Sequence, residues 1–310
     1  MATSSEEPSV GAARGPRSVT AIAHRPFAVV LAGGGARGLG HAGVLRALEH
    51  EGLAPAAIVG VSMGAIVGAT HVLNPDWYRA LLAADVGAIP GMTRETGAQR
   101  ATRLRAILAS GRALRHLLLR WGVLTPARPA IEALLETLTL GKRLEDARIP
   151  FAAVATDLAS GARAVLTSGP AAEAVYASSA LAGILPPVAR DGALLADGCY
   201  ADVAPIDVAR ALVGGGPVIA VNPSPGVPSP PPRNGLQAVL RAMDVSVQHH
   251  ALVRFGQADL ELRIRLPFPV ATIDFSHQRT CVAAGVRAVR AQRTEITALL
   301  APPARSSGTV

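Results

Sequence analysis

Phe27-Ala28-Val29-Val30-Leu31-Ala32-Gly33-Gly34-Gly35-Ala36-Arg37-Gly38-Leu39-Gly40-His41-Ala42-Gly43-Val44-Leu45 passes from an apolar run through a glycine cluster into a helical pattern. A short, wholly apolar run suits a strand of a parallel sheet, buried on both faces. The cluster Gly33 to Gly40 permits a tight turn, and Val44, Leu45 and Leu48 recur at helical spacing across His41 to Glu51. The same grammar then returns, with Ala57 to Gly60 as a second short strand and Met63 to Val72 as a second buried helix. Strand, turn and helix in this succession predict an α/β fold with a mostly parallel central sheet flanked by helices.

Further along, Phe151 to Thr156 and Arg163 to Thr167 read as strands around a turn at Ser160-Gly161. Leu194-Leu195-Ala196 leads into Asp197-Gly198, and Val218 to Val221 forms another central strand ending at Asn222-Pro223. Gly235 to Phe255 and Arg279 to Leu300 are predicted helices with a strand, Leu260 to Leu266, between them. Pro223 to Pro232 reads as a proline-rich surface loop. Pro75 to Thr125 is predicted to be a helical, arginine-rich insertion. Residues 1–25 are small, polar and without an apolar signal core, so they are expected to be a disordered tail. The expected organisation is one domain over 26–301, with a second short tail at 302–310.

A chain of 310 residues makes one large domain or at most two. Half of it is hydrophobic, 17% is charged, and the mean hydropathy is +0.33, which excludes global disorder. Charged residues, glycine or proline break every long apolar stretch, so no membrane-spanning helix is expected. The net charge of +8 comes from 30 basic against 22 acidic side chains, and Lys142 is the single lysine. With aromatics at 3%, base-stacking platforms are lacking, which argues against a nucleic-acid partner. The basic excess instead gathers between Gly91 and Arg120, with Glu95 as the one acid there. Cys199 and Cys281 are too few for a disulfide framework, which suits a reducing, cytoplasmic setting.

Three constellations carry chemistry. Gly33-Gly34-Gly35-Ala36-Arg37-Gly38, between strand and helix, aims bare N–H groups at one point, where the helix N-terminus adds partial positive charge. Such a loop holds a phosphate, holds the oxyanion of a tetrahedral intermediate, or is simply a tight turn. Gly60-Val61-Ser62-Met63-Gly64 has the form of a nucleophile elbow, or of a serine cap on a packed helix. Asp197-Gly198 places a carboxylate at a strand end, as a base or as an ordinary turn. Adjacent parallel strands would bring Ser62 and the glycine loop to one sheet edge, which acyl transfer needs. A dinucleotide site instead requires an acid at the end of the second strand. Glu49 and Glu51 fall on or at the end of the first helix, so that reading loses. His249, His250 and His277 are the late histidines available to a triad, but none follows a strand in a glycine-marked turn.

These residues resemble the patatin-like phospholipases, lipid acyl hydrolases related to cytosolic phospholipase A2. The glycine loop, with Leu39-Gly40-His41-Ala42-Gly43-Val44-Leu45 continuing it, is similar to the family's oxyanion loop. Gly60-Val61-Ser62-Met63-Gly64-Ala65 resembles its elbow, and Ala177-Ser178-Ser179-Ala180 with Pro186 its small-residue helix. Asp197-Gly198 resembles its base motif, although Cys199 stands where the family usually has glycine or alanine. The resemblance implies a three-layer fold and a Ser62–Asp197 dyad with neither histidine nor metal nor cofactor. Gly33 to Gly38 would form the oxyanion hole, with the N–H groups of Gly34, Gly35 and Ala36 as donors and Arg37 bracing the loop or meeting a phosphate. The implied substrate is a phospholipid, lysophospholipid or similar ester.

The arginine-rich stretch 91–121 has Leu104, Ile107, Leu108, Leu114, Leu117, Leu118 and Trp121 at roughly helical spacing. It reads either as a core-packed helix with a solvated cationic face or as a cap making transient contact with a lipid surface, peripheral at the inner membrane. The non-catalytic alternatives are a regulatory, lipid-binding member of the same fold and a phosphate binder using the glycine loop.

Overall fold

The computed structural model describes residues 24–84, 124–223, 231–232 and 235–302. Nearly all of both predicted tails and the whole arginine-rich stretch 91–121 lie outside those residues. The opening sequence folds as strand β1 (Ala28–Leu31), a 3-10 turn (Gly35–Leu39) and helix α1 (Gly40–His50). Strand β2 (Ala57–Val61) and helix α2 (Met63–Leu73) follow, as the hydrophobic pattern predicts, and then α3 (Trp77–Ala83) at the head of the predicted insertion. The remaining strands are β3 (Phe151–Asp157), β4 (Arg163–Leu166), β5 (Val188–Arg190), β6 (Ala193–Asp197), β7 (Val218–Asn222) and β8 (Leu260–Arg263). The remaining helices are α4 (Arg128–Thr139), α5 (Ala171–Ser179), α6 (Ile206–Leu212), α7 (Gly235–Phe255), α8 (Gln278–Ala291) and α9 (Arg293–Leu300).

The sheet runs β5-β6-β3-β2-β1-β7-β8, with β4 also paired to β3. Strands β3, β2, β1, β7 and β8 are parallel neighbours, while β4, β5 and β6 pair antiparallel. Alternate residues of each central strand enter opposite cores, as the two-residue strand period requires. Val29, Leu31, Ile58, Phe151, Ala153, Ile219 and Val221 share one core with residues of α1, α2, α5 and α8. Ala28, Val30, Val59, Val61, Ala152, Val154 and Ala220 pack on the other face with Ile206 and Ala209 of α6 and Phe255 of α7. The result is a three-layer α/β sandwich around a mixed sheet. Its central strands read as all-apolar because both of their faces are covered.

The structure differs from the sequence reading in places. The stretch expected as one helix over 279–300 is two, divided at Gln292, and the strand expected to reach Leu266 ends at Arg263. α4 was not expected, although Ile131, Leu135 and Leu138 mark its buried face and Pro129 sits in its first turn. Among the described residues, no helix is long and apolar enough to cross a membrane.

Candidate active site

The site is built where β1, β2 and β6 end. β1 and β2 are parallel, Leu31 opposite Gly60, so the glycine loop and the Gly60-Val61-Ser62-Met63-Gly64 turn leave the sheet at the same edge. Asp197 arrives differently. Backbone groups of alternate strand residues face opposite edges. The Pro150 carbonyl accepts from the Ile58 amide of β2 at 3.0 Å, and the Leu158 amide, just past β3, donates to the Leu194 carbonyl of β6 at 2.8 Å. Both are even-numbered positions, so β2 and β6 share one edge of β3. The Asp157 amide faces the other edge, towards Ala162 and β4. Val61 pairs with Val154 and Asp197 with Ala155, consecutive residues of β3. Because β2 is parallel and β6 antiparallel to β3, their ends run head-on into one another.

At that junction the Ser62 hydroxyl donates to Asp197 Oδ2 at 2.6 Å. Ser62 has φ 53° and ψ −122°, a positive φ that costs a non-glycine residue on the order of 1–3 kcal/mol. This is the sharp turn a nucleophile elbow needs, and its closeness is set by Gly64, where a Cβ would stand 1.9 Å from the Leu31 carbonyl oxygen. Helix α2 begins at Met63 and points its N-terminal dipole at the serine. Asp197 is fully buried, and its Oδ1 accepts the Cys199 amide at 2.9 Å. Burial pushes its carboxyl above the ordinary range, and the bonds from Ser62 and Cys199 oppose that rise without cancelling it. Gly198 and Cys199 open a 3-10 turn. A Cβ at Gly198 would meet the Val154 carbonyl oxygen at 2.1 Å, so the chain passes flush against β3 here.

The glycine loop lies beside the pair. Gly33 packs on Cys199 so tightly that an added Cβ would sit 2.0 Å from Sγ and 3.4 Å from Ser62 Cβ. Gly35 takes φ +54°, a left-handed conformation that suits glycine. The segment after β8 leans on this loop. The Ala36 amide donates to the Thr272 carbonyl at 2.7 Å, and Arg37 Nη1 donates to the Val270 carbonyl at 2.9 Å. The Ala36 N–H, expected as an oxyanion donor, is therefore bonded within the protein, which leaves Gly34 and Gly35 as the candidate donors. Of the two roles expected for Arg37, bracing the loop fits its bond to Val270. His41, fully buried, holds the loop from behind through Nε2 and the Ala32 carbonyl at 2.8 Å, and burial pushes its imidazole down to about 4.

Other contacts fix the chain after Asp197. Thr156 donates from Oγ1 to the Asp197 carbonyl at 2.8 Å, and the Ala201 amide donates to that same Oγ1 at 3.0 Å. Buried Asp202 accepts from Arg163 of β4 at 2.7 Å and from Arg254 of α7 at 2.6 Å. Both arginines also pair with the more exposed Asp207, so the four side chains form one network that ties β4 and α7 to the chain after Asp197. His249 bonds the Val245 carbonyl within its own helix, and His277 lies 3.8 Å from Asp274. No histidine has a hydrogen bond to Ser62 or Asp197 among the described contacts. Ser178, Ser179 and His41 stand in motifs of the sequence without an assigned task, Thr156 is read there only as the end of a strand, and nothing in the sequence singles out Thr272. A lone threonine within a strand or loop carries no spacing signal.

The sequence model of the patatin-like phospholipase family matches residues 29–210. Over 198 residues the chain is 32% identical to patatin-like phospholipase domain-containing protein 7 of Mus musculus, covering 63% of this chain and 13% of that protein. Over 175 residues it is 33% identical to lysophospholipase NTE1 of Pyricularia oryzae, covering 56% of this chain and 10% of that protein. The match thus spans only a small part of these relatives. The crystal structure of VipD from Legionella pneumophila aligns with a TM-score of 0.43 at 14% identity, covering 85% of this chain and 67% of that one.

Proposed function

The chain belongs to the patatin-like phospholipase family, and from that premise we propose that it is a serine hydrolase cleaving carboxylic esters of phospholipids or lysophospholipids through Ser62 and Asp197. The observation that carries this reading is the 2.6 Å hydrogen bond from the Ser62 hydroxyl to a carboxylate with no solvent exposure.

Asp197 takes the hydroxyl proton as Ser62 Oγ attacks the ester carbonyl. The oxyanion of the tetrahedral intermediate is held by the N–H groups of Gly34 and Gly35, with the α2 dipole adding to the field. Collapse of the intermediate breaks the ester C–O bond, and the alcohol leaves with the proton from Asp197. Water then attacks the acyl-serine, giving its proton to Asp197, and the second collapse restores the Ser62 hydroxyl and releases the fatty acid.

One observation favours a second reading, a lipid-binding member without turnover: the Thr272 carbonyl occupies the Ala36 N–H and narrows the donor set. A fluorophosphonate probe separates the two. Labelling of the wild type, its loss in Ser62→Ala, and hydrolysis of p-nitrophenyl butyrate by the wild type alone are expected. Turnover retained by Ser62→Ala would overturn the mechanism, and an unlabelled, inactive wild type would favour the binding role. A panel of phospholipids and lysophospholipids, run with both proteins, then identifies the head group.

A further inference from the structure

Both members of the dyad are held by three consecutive residues at the end of α5. Ser178, fully buried, accepts the Ser62 amide on its Oγ at 3.0 Å and donates the hydroxyl to the Val154 carbonyl at 2.6 Å. Ser179 shares its one hydroxyl proton between the Val175 carbonyl at 2.7 Å and, more weakly, the Ser62 carbonyl at 3.3 Å. The Ala180 carbonyl accepts the Asp197 amide at 3.0 Å. Val154 is in turn the residue of β3 that pairs with Val61 and lies against Gly198. We infer that Ser178-Ser179-Ala180 is a positioning clamp, with Ser178 as its principal member, that sets the approach of Ser62 to Asp197.

The need for a clamp follows from the strand geometry. β2 and β6 meet end to end, and no ladder hydrogen bonds join one end to the other. Each is paired to β3, but Ser62 and Asp197 lie at the termini of that pairing. Ser62 is also in a strained conformation, which relaxes unless its surroundings over-determine it. The Ser178 hydroxyl gives the Ser62 amide its partner and ties it to the carbonyl at the junction. The Ser62 carbonyl is held by the Ala65 and Ile66 amides at 2.9 and 3.2 Å as well, so Ser179 is the minor member.

This inference rests on the Ser62–Asp197 hydrolase reading, and the test separates the two. Ser178→Ala, Ser178→Cys, Ser179→Ala and Ser62→Ala are compared with the wild type on p-nitrophenyl butyrate, with active sites counted by fluorophosphonate labelling. Displacing a reacting atom by about 1 Å costs about 100-fold, so kcat per labelled site in Ser178→Ala should fall by one to two orders of magnitude with KM little changed. The acid limb of kcat/KM should also move to higher pH, because a loosened Ser62 no longer opposes the rise of the Asp197 carboxyl. A merely structural serine would lower the number of labelled sites and leave both quantities alone. Ser178→Cys preserves shape with a weak hydrogen-bonding group, so it should show the same two changes and decides the matter if Ser178→Ala does not fold. Ser179→Ala should lose less than either.

Wild-type kcat per site and an unmoved acid limb in Ser178→Cys, with Ser62→Ala inactive, would overturn the clamp and leave the hydrolase reading standing. An active Ser62→Ala would overturn the hydrolase reading and the clamp with it.

Discussion

The side-chain oxygens of Ser62 and Asp197 lie 2.6 Å apart because their strands approach head-on along one edge of β3. This arrangement leaves no room or need for a third residue between the proposed nucleophile and the proposed base. A carboxylate at the tip of an antiparallel strand reaches the hydroxyl directly, where a triad interposes an imidazole. In the proposed mechanism burial serves this role, because it raises the proton affinity of the Asp197 carboxyl above that of an ordinary aspartate.

Asp197→Asn keeps the shape of the side chain and the acceptor for the Cys199 amide but removes the base. General-base contributions run about 10²–10⁴-fold, and kcat/KM on p-nitrophenyl butyrate should fall within that range. Because the variant also removes a fully buried carboxyl whose charge burial disfavours, its thermal midpoint should equal or exceed that of the wild type. A variant that keeps its rate would remove Asp197 from the mechanism.

In the proposed mechanism the raised carboxyl also sets the pH profile. A base works only when deprotonated, so kcat/KM should rise with pH through a midpoint above the ordinary aspartate range and then level off. The Cys199 thiol, pushed up by burial and by the Asp197 charge, adds no limb near neutrality. Substituting His249, His250 and His277 together should leave the midpoint in place. A midpoint at the usual aspartate value, or one that moves with the triple substitution, would count against the dyad.

His41 couples the glycine loop to acid stability. Its folded value of about 4 lies below the unfolded 6.5, so between these values the unfolded chain binds more protons. Stability should therefore be intact above about pH 6.5 and decline as pH falls towards 4, by up to about 3 kcal/mol from this residue alone. Urea melts of the wild type and His41→Gln at pH 7 and pH 4.5 measure it. The glutamine amide can still reach the Ala32 carbonyl but does not titrate, so its melts should differ less between the two pH values. An equal loss in both proteins would assign the acid sensitivity to other groups.

What was legible in the sequence is what local chemistry dictates. The all-apolar runs at Val29-Val30 and Ile58-Val59 gave strands because both of their faces are buried, and the glycines after each run marked the turns. Asp197 was placed correctly at a strand end. Its direction of approach carries no local signal, because whether β6 runs with or against β3 is decided by pairing across distant segments. The commitment of the Ala36 N–H to Thr272 joins residues far apart in sequence, and no spacing rule connects them. The small-residue pattern of Ser178-Ser179-Ala180 was visible, but its contacts with Ser62 and Asp197 exist only once α5 is laid against the junction.

Cys199 and Gly33 supply a test of the packing around the dyad. The Cys199 Sγ fills the space above Gly33. An alanine at 33 would place Cβ 2.0 Å from that sulfur, which must then rotate away from the Asp197 carboxylate it bonds. Gly33→Ala should therefore lower both kcat/KM and the thermal midpoint. Cys199→Ala removes the sulfur, and because the Cys199 Cβ is 3.8 Å from the same point, the added methyl then fits. The double variant should recover most of what Gly33→Ala loses, with a coupling of about 0.5–3 kcal/mol in a double-mutant cycle of stability. Strictly additive effects would mean that the two residues do not share that space. Recovery of stability without recovery of rate would mean instead that the thiol itself helps to hold Asp197.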